Sequence, residues 1–144
     1  MSEVSSSFLS GEQGDCLEII VEFDPGDAEK FGLKLRCSPN RAEETLISYS
    51  RVEGKMEIVR ERSSLSPEVL RSTNSGSLHL ASNESLRLHL FLDRSVIEVF
   101  ANNRLCMTSR IYPSRTDSLD IDLFAQGGTA KLKLMRIWEV KWIW

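Results

Sequence analysis

Several features that mark particular classes of protein are missing or scarce in this chain of 144 residues. No run approaches the ~18 consecutive apolar residues of a membrane-spanning helix. The 18 lysines and arginines and the 21 acidic residues are spread along the chain without a basic stripe, which argues against binding nucleic acid. The polar first residues lack the layout of a signal peptide. We therefore expect neither a membrane nor a nucleic-acid partner. The sequence leaves the location unknown, and the cytoplasm is only the default.

Cysteine and histidine are also scarce. The three cysteines, Cys16, Cys37 and Cys106, have no CxxC spacing. We interpret them as free, partly buried thiols, with one disulfide and a spare thiol as the alternative. His79 and His89 alternate with leucines at polar positions, and their spacing assembles no set of three or four metal ligands. The sequence therefore predicts no metal and no cofactor.

What recurs from end to end is an alternation of apolar and polar residues, which is typical of strands with one buried face. It is clearest over residues 17–23, 31–37 and 86–92. Turn residues separate most of these segments, and no amphipathic helix is indicated. We predict an all-β fold, a two-sheet antiparallel β-sandwich of the lectin-like jelly-roll type with about ten to twelve strands. We expect one domain over residues 14–144, after a flexible lead-in over residues 1–13.

Two regions are less regular. Residues 63–76 are rich in serine and are predicted to form a surface loop, followed by a short strand at Leu78 and Leu80. Near the end of the chain, residues 130–135 and 137–144 are predicted to be separate strands.

One pair of carboxylates suggests glycosidase chemistry, which needs two carboxyl groups roughly 5 to 9.5 Å apart. If the chain runs extended between Asp93 and Glu98, they lie about 16 Å apart on opposite faces, so we do not interpret them as catalytic. Two interpretations of Glu98 stay open. It faces outward from the sheet, or it pairs with Arg94, Arg104 or Arg110.

Three tryptophans, Trp138, Trp142 and Trp144, share one face of the predicted last strand. Packing in the core or between domains is the structural interpretation. A platform that stacks against sugars, or an exposed patch at an interface, is the functional one.

The run FLDRSVIEVFAN over residues 91–102 resembles a signature of the C-terminal module of glycoside hydrolase family 32, the invertase and β-fructosidase family. Similarity continues through TSRIYP at 108–113 and LFA at 123–125, and covers about residues 14–144. It identifies a set of structural signature residues: Asp93, Arg94, Ser95, Glu98, Phe100, Arg110 and Tyr112.

The resemblance implies that catalysis takes place on another domain. Members of that family carry their active site on a five-bladed β-propeller, and this chain resembles only the sandwich that follows it. The family's catalytic acids lie in Asn-Asp-Pro-Asn-Gly, Arg-Asp-Pro and Glu-Cys motifs, which do not occur here, so no catalytic residue is assigned. The implied role is a non-catalytic accessory module whose partner is the catalytic propeller of a parent enzyme.

Two alternatives stay open beside that role. One is a stand-alone module that binds fructan or another glycan, and the other is a self-associating homodimer. The sequence also departs from the family pattern twice. Val59 precedes Arg60 where the family often has Asp, which puts an expected hydrogen bond or ion pair in doubt, and Trp142 stands where a small residue is typical.

Overall fold

The computed structural model describes residues 2–3, 14–69 and 71–140. These residues form eleven β-strands and no helix, so no helix that could cross a membrane is found among them. The strands are β1 (Ser2–Glu3), β2 (Cys16–Asp24), β3 (Lys30–Cys37), β4 (Thr45–Ser50), β5 (Lys55–Val59), β6 (Asn74–Ser77), β7 (Leu86–Asp93), β8 (Val96–Ala101), β9 (Leu105–Arg110), β10 (Asp120–Gln126) and β11 (Lys131–Glu139).

The strands form two sheets whose neighbouring strands are antiparallel. The six-stranded sheet has the order β1-β11-β2-β7-β8-β9, and the five-stranded sheet has the order β10-β3-β4-β5-β6. Apolar side chains from both sheets form one continuous core. The predicted all-β, two-sheet sandwich is therefore confirmed. The predicted lead-in over residues 1–13 lies outside the described residues except for β1, which pairs with β11.

The core follows directly from the alternation in the sequence. In the central strands β2 and β7, every second side chain is buried, and the intervening ones face outward. The buried set is Leu17, Ile19, Val21, Phe23, Leu86, Leu88, Leu90 and Leu92. Each such side chain contributes about 1.5–3 kcal/mol when fully buried. Phe31 bridges the two sheets through edge contacts with Phe23 at 5.3 Å and Tyr49 at 5.7 Å between ring centroids.

The prediction of a loop over residues 63–76 followed by a strand at Leu78 and Leu80 was wrong in its boundaries. The strand is β6, which begins inside the predicted loop at Asn74, ends at Ser77, one residue beyond it, and pairs with β5. Its sequence, NSGS, has no apolar alternation. The strand lies at a sheet edge, where backbone hydrogen bonds to β5 hold it without buried side chains. Leu78 follows the strand as a buried residue, and its N–H donates to the Gly54 carbonyl at 2.9 Å.

The two strands predicted near the end of the chain are one strand, β11, as far as the described residues extend. Its pairing with β2 shifts register between Leu132 and Leu134. A register shift of this kind inserts an extra residue and moves the later side chains to the other face. Because the inward-facing positions no longer fall on every second residue at this point, the apolar alternation in the sequence suggested two strands instead of one. Residues 141–144, with Trp142 and Trp144, lie outside the described residues.

A buried arginine connects the two sheets at one end of the sandwich. Arg36, at the end of β3 in the five-stranded sheet, is only 8% exposed. Its Nη1 donates to the carbonyl oxygen of Arg94 at 2.8 Å, in the turn between β7 and β8 of the opposite sheet. Its Nε donates to the Ser118 carbonyl at 2.7 Å. The guanidinium thus fixes the β7–β8 turn relative to the opposite sheet.

A second arginine makes a parallel connection. Arg60 follows β5 in the five-stranded sheet, and its Nη1 donates to the carbonyl oxygen of Arg110, at the end of β9, at 2.8 Å. It also donates to the carbonyl oxygen of Ser72 at 2.7 Å and to the Ser72 hydroxyl at 2.8 Å. With Val59 in place of an acid, the contacts of Arg60 are to the oxygens of Ser72 and Arg110. We refer to Arg36 and Arg60 together as the inter-sheet arginines.

A buried carboxylate organises the loops at the same end. Glu43 is 0% exposed and accepts hydrogen bonds from the Ser118 hydroxyl at 2.6 Å, the Ser114 hydroxyl and N–H at 2.7 Å each, and the N–H groups of Leu65 at 2.8 Å and Arg115 at 3.1 Å. Burial raises the pKa of this carboxyl, but these hydrogen bonds outweigh burial and lower the pKa to about 2. The ionised form is therefore the one that the fold stabilises.

The depressed pKa of Glu43 predicts how stability depends on pH. Its pKa is about 2 in the folded chain against 4.5 as the ordinary value, so the ionised group adds about 3 kcal/mol above pH 4.5. That contribution declines as pH falls from 4.5 through 2. Urea unfolding of a Glu43→Gln variant should show a large loss of unfolding free energy at pH 7 that shrinks toward pH 2. The exposed Glu61→Gln is the control, and an equal loss at all pH values would contradict the prediction.

Candidate functional site

The outward face of the six-stranded sheet carries a row of alternating aromatic and acidic side chains. The strand register places Trp138 opposite Glu18, Glu18 opposite Phe91, and Phe91 opposite Glu98. We call these four residues the outer row. It crosses β11, β2, β7 and β8, so the backbones that carry the two aromatic residues are about 10 Å apart. Phe91 is 38% exposed and Trp138 is 42% exposed, which is unusual for rings of this size.

A depression of about 430 Å³ lies beside the part of this row formed by Glu18, Phe91 and Glu98, and Trp138 lies outside its lining. The outward side chains that line it are Glu18, Phe91, Asp93, Val96 and Glu98. Its surface is therefore an apolar floor bordered by three carboxylates.

The sequence-based placement of Asp93 and Glu98 on opposite faces was wrong. The chain turns at Arg94 and Ser95, so Asp93 pairs with Val96 in a tight hairpin. Both carboxylates then point outward as diagonal neighbours on adjacent strands, with Cα atoms about 7–8 Å apart. The turn was missed because it contains neither Gly nor Asn. Arg94 itself supplies the left-handed conformation, with φ of 52°.

The distance that matters for a glycosidase is the one between the carboxyl groups, so this Cα separation does not by itself identify a catalytic pair. The surroundings of the two residues also differ from those of a catalytic pair. Asp93 is exposed, and the depression opens on a sheet face. A general acid in a glycosidase needs apolar surroundings that keep it protonated, and the reaction needs a site from which water is excluded. The geometry fits acceptance of hydrogen bonds from a ligand better than acid catalysis.

The carboxylates differ in how they are held. Glu18 Oε2 lies 2.6 Å from His89 Nε2, which fixes its orientation. Glu98 is half-buried, and none of the described residues forms a hydrogen bond or an ion pair with it. Of the two interpretations left open for Glu98, the structure supports the outward-facing one. Arg104, one of its suggested partners, pairs with Glu84 instead at 2.9 Å.

Aromatic contacts fix the ring at the centre of the row. The His89 ring lies 4.7 Å from the Phe91 ring, and the Phe100 ring meets Phe91 edge-on at 6.3 Å between centroids. Phe91 is thus exposed on one side and supported on the other.

Three other signature residues act through their backbones. The carbonyl oxygens of Arg94 and Arg110 accept from the inter-sheet arginines, and the Ser95 carbonyl accepts from the Ile111 N–H at 2.8 Å. Tyr112 follows β9 and is exposed. Sequence reasoning did not assign Arg36, Glu43 or the supporting role of His89.

The cysteines and acids show no metal-binding arrangement among the residues that the structure describes. Cys16, Cys37 and Cys106 are all free thiols. Cys16 Sγ lies 3.8 Å from Asp93 Oδ1 beside the depression. Burial, and after it the charges of Asp15 and Asp93, raise the pKa of the Cys16 thiol, which makes it a poor nucleophile.

Comparison with known sequences gives a consistent result. The model of the family described as glycosyl hydrolases family 32 C terminal matches residues 2–139. Levanase from Bacillus subtilis is 33% identical over 150 residues, which cover 100% of this chain and 22% of the levanase. Sucrose-6-phosphate hydrolase from Zymomonas mobilis is 32% identical, over 98% of this chain and 27% of that enzyme. The chain thus spans about a quarter of these relatives.

Solved structures agree with the sequences. The exo-inulinase from Aspergillus awamori superimposes with a TM-score of 0.82 at 25% identity, over 97% of this chain and 27% of the enzyme. The carbohydrate binding module CBM66 from Bacillus subtilis shares the fold, with a TM-score of 0.67 at 10% identity, over 88% of this chain and 77% of that module. We conclude that the chain belongs to the C-terminal domains of the family 32 glycosyl hydrolases.

Proposed function

We propose that this chain is a non-catalytic accessory module of a β-fructofuranosidase-type glycoside hydrolase, whose catalytic propeller it stabilises. The observation that carries the proposal is the family match over residues 2–139, together with relatives of which the chain spans only 22% and 27%. The self-contained core, with its two inter-sheet arginines, suits a rigid support. The signature residues Arg94, Ser95 and Arg110 have a structural role in this proposal, because their carbonyl oxygens accept the hydrogen bonds described above.

The proposal that the chain is not itself an enzyme rests on its carboxylates. The acid motifs of the family are absent from the sequence. The Asp93 and Glu98 carboxylates lie on an open sheet face, where water would compete for any proton transfer.

We therefore expect the purified chain to release no fructose from sucrose, inulin or levan. The measurement is a reducing-sugar assay at high protein concentration, with an Asp93→Asn, Glu98→Gln double variant as the matched control. Any trace activity from a contaminating enzyme would be equal in both proteins. Fructose release that persists through purification and disappears in the double variant would contradict the non-catalytic role.

The stabilising role is tested in an intact enzyme. Replacing the matching quarter of the Bacillus subtilis levanase by this chain should restore thermal stability lost on truncation, because the sandwich supplies the missing support. Melting temperature and residual activity after heating are the measurements. A chimera no more stable than the truncated levanase would count against the proposal.

Two further roles are proposed alongside support: glycan binding and formation of a homodimer. The likeness to the CBM66 module and the exposed outer row favour glycan binding. No described feature singles out a dimer interface, and light scattering over a range of concentrations measures self-association directly.

A further inference from the structure

We propose that the outer row and its depression form a binding site for a neutral oligosaccharide, which lies across the strands of the six-stranded sheet. The inference deepens the glycan-binding role proposed above and rests on it, because it names the site and the class of ligand. The site is made by Trp138, Glu18, Phe91 and Glu98, with Asp93 at its border.

The aromatic residues provide flat apolar surfaces in fixed positions. Phe91 is backed by His89 and Phe100, so its ring does not have to be ordered when a ligand binds. Trp138 lies two strands away across β2, beyond Glu18. A sugar ring has an apolar C–H face that packs against such a surface. The two aromatic residues can therefore support successive parts of one extended chain.

The carboxylates provide hydrogen-bond acceptors between and beside the rings. An ionised carboxylate only accepts, and sugar hydroxyls are donors. Glu98 has no partner among the described residues, so its acceptor capacity is available to a ligand. Glu18 is held by His89 in a fixed orientation. Alternation of ring and acceptor along the row matches a molecule with apolar faces and hydroxyl edges.

The charge of the whole face favours a neutral ligand. Three arginines lie on the same face as Glu18 and Glu98, because each is paired across the strands with an outward-facing residue. They are Arg87, Arg110 and Arg136. Positive and negative side chains are thus interspersed over the sheet. Neither an anionic nor a cationic polymer would gain from long-range attraction to such a face.

The size of the depression is adequate for part of a small ligand. Its volume of about 430 Å³ lies within the range of about 300–1,000 Å³ for small-molecule sites. Because Trp138 lies outside the depression, beyond Glu18, a ligand that contacts both aromatic residues has to extend past the depression.

The test is isothermal titration of this chain with neutral oligosaccharides: levan-type and inulin-type fructo-oligosaccharides, malto-oligosaccharides and cello-oligosaccharides. An oligogalacturonide and a chitosan oligomer are the anionic and cationic comparisons. We expect saturable binding of at least one neutral series, and weaker binding of both charged oligomers. Phe91→Ala and Glu98→Gln should each weaken binding by about tenfold. Trp138→Ala should weaken long oligosaccharides more than disaccharides.

Matched controls lie on the other sheet and its turns. Val52→Ala removes an exposed apolar side chain, and Glu57→Gln neutralises a half-buried carboxylate of β5. Both should bind like the unchanged protein. Circular dichroism checks that each variant is folded, and Glu98→Gln, which keeps the size of the side chain, tests the site if Phe91→Ala does not fold.

The outcomes separate the site from the wider role. Neutral glycan binding that survives both Phe91→Ala and Glu98→Gln would overturn this site and leave the glycan-binding role standing. Absence of saturable binding by every neutral series would overturn both, while the accessory role is judged by the levanase chimera. Tighter binding of a charged oligomer, or a dimer abolished by Phe91→Ala, would also overturn the proposal.

Discussion

The structure depends on two arginine side chains of the five-stranded sheet, whose guanidinium groups donate hydrogen bonds to backbone carbonyls of the six-stranded sheet. Arg36 donates to the Arg94 carbonyl, and Arg60 donates to the Arg110 carbonyl. Hydrophobic packing brings the two sheets together but is non-directional, so it does not by itself fix where their ends meet. Charge-assisted hydrogen bonds to specific oxygens do, and each contributes about 1.5–3 kcal/mol. Arg36 holds the β7–β8 turn, which borders the depression on the outer face, and Arg60 holds the end of β9.

Glu43 also fixes the structure through buried hydrogen bonds, but it does so as an acceptor rather than a donor. Its charge is compensated by hydroxyl and N–H donors from two segments of the chain, one at Leu65 and one over residues 114–118, which Glu43 ties to its own loop. A buried carboxylate without such donors would be protonated or expelled. The loops at this end are therefore ordered by a buried charge, although they contain few apolar residues.

The signature run over residues 91–102 serves both faces of its hairpin. Ile97 and Val99 point inward to the core, while Glu98 and Phe100 point outward beside Phe91. The turn between the strands supplies the carbonyl that Arg36 binds. One short segment thus contributes to the core, to the connection between sheets and to the outer face.

The sequence allowed the sandwich to be predicted because alternation in strands such as β2 and β7 reports directly which side chains are buried. It did not predict β6, whose pairing needs only backbone groups, or the hairpin at Arg94, which lacks the usual turn residues. The partners of Arg36 and Glu43 were also missed. They lie 58 to 82 residues away for Arg36 and 22 to 75 for Glu43, and local patterns carry no information at such separations.

The most direct test of this account is the free energy of unfolding of Arg36→Met and Arg60→Met variants, measured in urea at pH 7. Methionine keeps an apolar stem and removes the donors. The account predicts a loss of about 2–4 kcal/mol for each variant, since each one removes charge-assisted hydrogen bonds to oxygens that are buried or partly buried. Arg104→Met, which breaks only a surface ion pair, should lose no more than about 1 kcal/mol. Losses at the inter-sheet arginines no larger than that of Arg104→Met would contradict it.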